Sequence, residues 1–191
     1  MIFKPSIEDQ DFNHVDFTIN LLNGREYENC TFNHCNFSEL NLSNIDFIDC
    51  NFDNCNLSNI KINDIVFREI LFTECKMIGV DFSNIKQLVL SIEFNNCCLN
   101  FCTFEGLSLK STNFKSCSLN ETDFTNCDLS SSDFEKSDLY RAIFYNTILI
   151  QADFSSATNY IIDPEFNRLK KAKFSLDGLV GLLDKYEIEV I

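Results

Sequence analysis

A five-residue period dominates this chain. From Phe12 to Phe82 every fifth residue is large and apolar, and the rule holds again from Phe94 to Phe154. We call these residues the centres; there are 28 in the two blocks, of which 16 are Phe and 9 are Leu. A period of five fits neither an α-helix, which repeats every 3.6 residues, nor a β-strand, which repeats every two. It predicts a chain that turns a corner after each pentapeptide and stacks its coils into a solenoid.

A second period, of 20 residues, sorts the centres into four columns. Four pentapeptides per coil and 28 centres predict about seven coils. The columns stay in register only if two residues are inserted within residues 83–93. Identical stacked side chains fill a constant cross-section with few voids, so we expect an all-β solenoid. Its core ladder is predicted to contain Phe32, Phe52, Phe72, Phe94, Phe114, Phe134 and Phe154.

The residue two before each centre is small or apolar and should also point inward. Nine of the ten cysteines occupy this position, and Cys98 is the exception. A free cysteine behaves as a small hydrophobic residue, so we interpret these thiols as core filler. A zinc site needs four ligands that converge, which parallel stacked thiols do not supply. A metal or redox protein remains a third alternative, and it would show bound zinc or a disulfide.

The remaining residues with catalytic chemistry do not form a site. His14 and His34 lie 20 residues apart and should stack on one outer face, whereas Cys35 should point inward, so a Cys–His dyad is not expected. The chain has no nucleophile elbow, phosphate-binding loop or dinucleotide fingerprint, and a filled rod leaves no substrate pocket. We therefore predict no enzyme activity, no cofactor and no metal.

The charge is strongly negative. The chain has 15 Lys and Arg against 29 Asp and Glu, a net of −14, which argues against binding nucleic acid through its phosphates. Residues 1–167 hold 25 acids and 10 bases, whereas residues 168–191 hold 4 acids and 5 bases. No run of 18 apolar residues and no apolar leader are present, so we expect no membrane partner and a cytoplasmic location.

Residues 162–191 depart from the repeat. Pro164 lacks an N–H and is expected to stop the β-ladder, and Ser175 can cap a short helix that follows. That helix carries apolar residues at i, i+3, i+4 and i+7, and alternating residues after it predict a short strand. Such a segment could cap the solenoid or pair two copies of the chain. The predicted homodimer interface contains Leu176, Leu179, Val180, Leu183, Ile188 and Val190.

The run CDLSSSDFEKSDLYRAIF, at residues 127–144, resembles the A(D/N)LXX consensus of the pentapeptide repeat family. The resemblance covers roughly residues 10–158 and implies a right-handed quadrilateral β-helix with a short C-terminal helix and strand. We divide the chain into a β-helix at 1–161, with its register break within 83–93, and a capping or dimerisation segment at 162–191.

The C-terminal segment, with DPEFNR before the predicted helix, resembles the gyrase-directed members of that family, the Qnr-type quinolone-resistance and microcin-immunity proteins. The resemblance implies homodimerisation through the C-terminal segment and binding to DNA gyrase or topoisomerase IV, which would be protected from quinolones or peptide toxins. Some of these relatives carry projecting loops, and a break of about two residues is too short for one.

Outward acids of this rod would then imitate the phosphates of DNA. The alternative is an acidic β-helical interaction scaffold with no topoisomerase role. Acids that form a continuous stripe across both halves of a coaxial dimer favour mimicry, and scattered acids favour the scaffold. The predicted acidic surface contains Asp123, Asp128, Asp133, Asp138 and Asp153.

Overall fold

The computed structural model describes residues 5–189, which form a β-solenoid of about eight turns with one short C-terminal helix. The sequence predicted about seven turns. The additional turn comes from pairing at both ends, where Ile7 lies opposite Tyr27 and Phe174 lies opposite Phe154.

Every pairing between turns is parallel and joins residues 20 apart, except across the register break. Centres therefore lie on centres, and the four columns become four faces of the rod. We number the faces by their columns. Face 1 runs from Phe12 to Phe174, face 2 from Phe17 to Leu139, face 3 from Leu22 to Phe144, and face 4 from Ile7 to Leu169.

Strands form mainly on faces 1 and 4, and elsewhere the turns are joined by isolated bridges. Face 1 carries a six-stranded sheet and a separate pair, and face 4 carries a four-stranded sheet. The strands are β1 Ser6–Glu8, β2 Asp11–Asn13, β3 Glu26–Glu28, β4 Thr31–Asn33, β5 Asp46–Ile48, β6 Asn51–Asp53, β7 Phe67–Arg68, β8 Ile70–Thr73, β9 Ile92–Asn95, β10 Phe114–Lys115, β11 Asp153–Phe154 and β12 Lys173–Phe174.

The centres fill the rod as stacked rings. The Phe114 and Phe134 ring centres are 5.1 Å apart with planes 5° from parallel, and Phe124 meets both rings edge-on. Stacked and edge-to-face pairs are the two arrangements that aromatic rings favour. The seven predicted ladder residues are all buried, namely Phe32, Phe52, Phe72, Phe94, Phe114, Phe134 and Phe154.

The corners depend on the two positions that flank each centre. The second residue after the centre often adopts a left-handed backbone, with φ of 53° at His34 and 60° at Asn126. Several Cys, Ser and Thr side chains two before a centre donate to the carbonyl of a centre in the preceding turn, as Cys55 Sγ does to Phe32 at 3.2 Å and Ser132 Oγ to Leu109 at 2.7 Å. These side chains are thus hydrogen-bond donors as well as core filler.

The register break is confined to face 4. On the other three faces the pairing continues at a spacing of 22 residues, for example Ile70 with Ile92 and Asp81 with Thr103. The two extra residues therefore match the insertion inferred from the columns. They are absorbed by a 3₁₀ turn at Gln87–Val89. Leu88 at its tip is 97% exposed.

The C-terminal segment differs in part from its prediction. Pro164 does not stop the ladder, since β12 pairs with β11 on face 1 and Arg168 pairs with Ile148 on face 4. Parallel pairing thus continues past the predicted boundary at residue 161. Proline removes a donor only from its own face, which explains why the neighbouring faces continue.

A helical segment closes this end of the rod. It consists of a 3₁₀ turn at Asp177–Leu179, helix α1 at Val180–Leu183 and a 3₁₀ turn at Asp184–Tyr186. As predicted, Ser175 caps its start, since its Oγ accepts from the Gly178 N–H at 3.0 Å. Residues 187–189 form no strand, and Val190, the other half of the strand prediction, lies outside the described residues.

The segment approaches the rod through two glycines. The Gly181 carbonyl accepts from the Ile162 N–H at 3.0 Å. A Cβ at Gly178 or Gly181 would overlap Tyr160. Within residues 5–189, no helix is both long and apolar enough to cross a bilayer.

Candidate interaction surface

The five aspartates predicted to form the acidic surface do not share a face. Asp123 lies on face 3, Asp128 on face 4 and Asp138 on face 2, while Asp133 and Asp153 lie on face 1. All five are half-buried. Residues five apart must occupy successive faces, so consecutive repeats distribute their acids around the rod.

Each of these aspartates has a hydrogen-bonding role in its own turn. The side chain lies just before a centre and accepts from the N–H just after it, at 2.8 Å for Asp123 and Thr125 and at 3.0 Å for Asp128 and Ser130. Asp and Asn commonly close turns in this way. Their presence before the centre is therefore explained by the backbone, with no need for a partner.

Several acids of the second half of the rod are also neutralised by lysine. Lys110 lies 3.2 Å from Asp128 and Lys173 lies 2.7 Å from Asp153. Burial raises the pKa of Asp153, but the hydrogen bonds from Lys173 and Ser155 have the larger combined effect and lower this pKa to about 2. Paired charges of this kind present a weaker negative field to a distant partner.

The first half of the rod has a different charge pattern. Residues 5–82 hold 14 acidic and 4 basic residues, a net of −10, whereas residues 94–161 hold 8 and 4, a net of −4. At about 4.8 Å per turn, these halves are roughly 19 Å and 16 Å long. The first half therefore carries roughly one net charge per 2 Å of rod, close to the value of about 1.7 Å for duplex DNA.

Several of these acids lie directly opposite one another. Glu8 pairs in register with Glu28, and Glu26 with Asp46. Like charges opposite each other on neighbouring strands destabilise a sheet. Only part of this charge is compensated, since Arg68 lies at 4.0 Å from Glu28 and Lys86 at 3.6 Å from Asp46. We call the set Glu8, Asp9, Asp11, Glu26, Glu28, Asp46, Asp49 and Asp53 the N-terminal acidic surface.

The cysteines form no catalytic arrangement. All ten are free thiols, and only Cys98 is not fully buried. Burial raises the pKa of Cys50, Cys102 and Cys127 to about 12, so these groups are not thiolates at neutral pH. Cys35 Sγ donates to a backbone carbonyl inside the rod, whereas His34 is exposed. The histidines do stack as expected, with His14 and His34 ring centres 4.8 Å apart.

Most of the described residues predicted for the dimer interface are exposed, but one is half-buried. Leu176, Leu179 and Val180 are exposed on the helical segment and Leu183 is half-buried, while the neighbouring Leu182 packs against the core. Ile188 is exposed beyond the segment. Beside the contact of Gly178 and Gly181 with Tyr160, a cleft of about 670 Å³ lies between the segment and the last turns of the rod. The expectation that the rod leaves no pocket was therefore wrong at this end, where the helical segment and not the filled rod forms one wall.

An exposed aromatic patch was missed by the sequence reasoning. On face 3 the Tyr145 and Phe166 ring centres are 5.3 Å apart, and Ile143 is exposed beside them. Outward positions elsewhere are largely polar, so Ile143 and Tyr145 on either side of the centre Phe144 could have revealed it.

The chain matches two models of pentapeptide repeats. One, described as "Pentapeptide repeat region", matches residues 25–101, and the other, "Pentapeptide repeats (8 copies)", matches residues 122–158. No curated protein sequence matches the chain.

Solved structures with this architecture include a trypsin-treated form of QnrB1, a plasmid-mediated fluoroquinolone resistance protein. It shares 20% identity with this chain, covers 98% of it and 100% of its own chain, and gives a TM-score of 0.51. HetL, a pentapeptide repeat protein involved in heterocyst differentiation regulation from the cyanobacterium Nostoc sp. strain PCC 7120, shares 13% identity over 88% of this chain and 86% of its own, with a TM-score of 0.41. The likeness to QnrB1 shows a shared fold.

Proposed function

The chain belongs to the pentapeptide repeat family, and from this premise we propose that it is a DNA-mimicking protein that binds DNA gyrase or topoisomerase IV. The proposed activity is binding without catalysis, and protection from quinolones or peptide toxins would follow from occupying the DNA site. Bacterial topoisomerases act on cytoplasmic DNA, so the proposal includes a cytoplasmic location.

The observation that supports this proposal best is the charge density of residues 5–82, roughly one net charge per 2 Å. An enzyme surface that binds DNA must be basic, because it neutralises phosphates spaced at about 1.7 Å along the duplex. In-register acids such as Glu8 and Glu28 repel each other in the free protein. A basic partner would relieve that repulsion on binding.

We place the main contact on the N-terminal acidic surface. The five aspartates of the second half stay a second prediction, since each of them has a turn hydrogen bond and two of them have lysine partners. The two assignments differ in which substitutions weaken binding.

A matched pair of variants tests the contact. The first carries Glu8→Gln, Glu26→Gln, Glu28→Gln and Asp46→Asn. The second carries Asp123→Asn, Asp128→Asn, Asp133→Asn and Asp138→Asn, which also removes four charges, and its asparagines keep an acceptor in each turn. We expect the first to weaken binding to the host's own gyrase at least tenfold and the second by less than about threefold, since opposite charges drive association.

The measurement is a pull-down over a salt series together with a supercoiling assay. Affinity should fall as salt rises, because the contact is electrostatic. A larger loss in the second variant would move the contact to the five aspartates. No binding at low salt, with no change in drug-stabilised cleavage, would refute the topoisomerase proposal.

We further propose that two copies associate through the C-terminal segment. Leu176, Leu179 and Val180 leave apolar area uncovered, and a symmetric pairing of two such stripes would bury it. Leu179→Asp with Leu183→Asp should give a monomer by light scattering, and Leu88→Asp, at the exposed tip on face 4, is the control. An unchanged mass of the double variant would refute this interface.

The alternative is an acidic scaffold with no topoisomerase role. It is favoured by the distribution of the five predicted aspartates over all four faces. It is also favoured by the aromatic patch of Ile143, Tyr145 and Phe166, which phosphate mimicry does not use. Apolar contacts resist salt, so a scaffold partner should stay bound at salt concentrations that release an electrostatic one. Binding of such a partner should be lost in Tyr145→Ser and kept in the variant with four substitutions in the N-terminal acidic surface.

A further inference from the structure

The only two histidines of the chain lie side by side on the outside of the rod. His14 and His34 follow face 1 at the same corner of successive turns, and both have φ of 53°. The parallel register that pairs Asn13 with Asn33 brings them together. Their ring centres are 4.8 Å apart and the planes are tilted by 40°. Both residues are exposed, so an ion from solvent can reach them.

A chain of hydrogen bonds leads to the Nδ1 atom of His34. The Asn33 Nδ2 group donates to Asn13 Oδ1 at 3.2 Å, which leaves Asn33 Oδ1 as an acceptor. This oxygen lies 2.7 Å from His34 Nδ1, so Nδ1 is the donor of this hydrogen bond. In the neutral ring Nε2 then has the lone pair that can bind an ion. Metal-binding histidines are held in the same way, with a carbonyl or carboxylate oxygen on the ring nitrogen that does not bind the ion.

The spacing of the rings suits one ion shared by both. A metal–nitrogen bond is about 2.1 Å, and the ring centre lies about 1.1 Å behind the nitrogen, so each ring centre would be about 3.2 Å from the ion. When both rings turn Nε2 toward the same ion, two ring centres 4.8 Å apart subtend about 97° at it. This is close to the 90° between neighbouring ligands in square-planar or octahedral coordination, which Ni²⁺ and Cu²⁺ accept.

We propose that the stacked pair of His14 and His34 is a surface site for a divalent transition-metal ion of the Ni²⁺ and Cu²⁺ type. Within residues 5–189, no group of three or more His, Cys, Asp or Glu side chains is placed to hold a metal. Water therefore completes the coordination. The sequence-based expectation of no metal considered a tetrahedral site of buried thiols and a Cys–His dyad, neither of which is this site.

The test is a calorimetric titration of the untagged full-length chain with nickel chloride. We expect one ion per chain and at least a tenfold loss of affinity in His14→Asn and in His34→Asn. Asparagine is the suitable replacement because Asn54, the next residue of the same column, already adopts φ of 51°. Circular dichroism should show the same fold in both variants.

Two further variants separate this site from general attraction to an acidic surface. Glu74→Gln removes the nearest carboxylate of the same column and should leave the affinity unchanged. Asn54→His adds a third stacked imidazole and should raise it. Equal affinity in the wild type and in the doubly substituted His14→Asn, His34→Asn protein would overturn the proposal. So would a loss in Glu74→Gln as large as in the histidine variants, or one ion per two chains.

Discussion

Residues 5–82 and residues 94–161 build the same turns from different side chains. Buried positions two before a centre hold thiols in both halves, as at Cys55 and Cys127. In the second half hydroxyls such as Thr122 and Ser132 also occupy this place, where the first half otherwise has Ile or Val. Thiols and hydroxyls both donate to a centre carbonyl in the preceding turn. The halves also differ in net charge, −10 against −4.

The comparison separates what the backbone requires from what it leaves free. The turns require bulk at the centre and a small or apolar side chain, in several turns a hydrogen-bond donor, two residues before it. The outward positions can hold in-register acids, as at Glu8 and Glu28, or an acid with its own lysine, as at Asp153 and Lys173. Surface charge is therefore the property in which the halves can diverge without changing the fold.

Truncation of a buried Phe is expected to cause the largest loss of stability, and the loss should be equal in the two halves. Phe52→Ala and Phe134→Ala each remove a buried ring that stacks on two rings and meets two others edge-on. Each should lower the free energy of unfolding by about 3–5 kcal/mol, as for other buried Phe truncations. Urea unfolding followed by circular dichroism measures this. The exposed Phe101→Ala is the control, with about 0.5 kcal/mol or less expected, and a difference above about 2 kcal/mol between the core variants would contradict equivalence.

A smaller effect tests whether the thiols and hydroxyls are interchangeable. Ser132→Ala removes the donor to the Leu109 carbonyl and should lower the free energy of unfolding by about 1 kcal/mol. Cys55→Ser keeps a donor for the Phe32 carbonyl and should change it by about 0.5 kcal/mol or less. If Cys55→Ser is the more damaging change, the thiols act through their volume and not through hydrogen bonding.

The smallest effect should differ in sign between the halves. Glu26→Gln removes a like charge next to Asp46 and should raise the free energy of unfolding by about 0.2–1 kcal/mol. Asp153→Asn keeps the turn acceptor but loses Lys173, and should lower it by a similar amount of about 0.2–1 kcal/mol. If both substitutions change the free energy of unfolding in the same direction at pH 7, then Glu26 and the lysine-paired Asp153 do not differ in their effect on stability.

The Asp153 effect should also depend on pH. Its folded pKa, about 2, is below the ordinary value of 3.8. The carboxylate therefore stabilises the fold above pH 4, and this contribution is lost as the pH falls toward 2. The difference between wild type and Asp153→Asn should shrink over the same range.

Much of the fold follows from the two periods. The columns, the parallel stacking and the two-residue break can be read from the spacing of Phe72, Phe94 and Phe114, because each centre must lie on another centre. The last turn was missed because Pro164 was expected to end pairing on every face, whereas a missing N–H affects one face only.

The surface was less predictable. Counting acids located the charge on the rod, but the turn bonds of Asp123 and Asp128 become visible only with coordinates. The 20-residue period could have placed these acids on different faces. The close contact of Gly178 and Gly181 with Tyr160 depends on how the helical segment docks, and no local pattern encodes that geometry.

The one-sided break at Gln87–Val89 has a mechanical consequence. Three faces carry continuous hydrogen-bonded pairing past this level, whereas on face 4, within the described residues, no backbone hydrogen bond joins residues 86–91 to residues 107–111. The ladder of hydrogen bonds is thus interrupted on one side of the rod. Bending that opens face 4 breaks no ladder bond at that level, whereas bending that opens any of the other three faces does. We therefore expect the two halves to tilt more easily away from face 4 than in other directions.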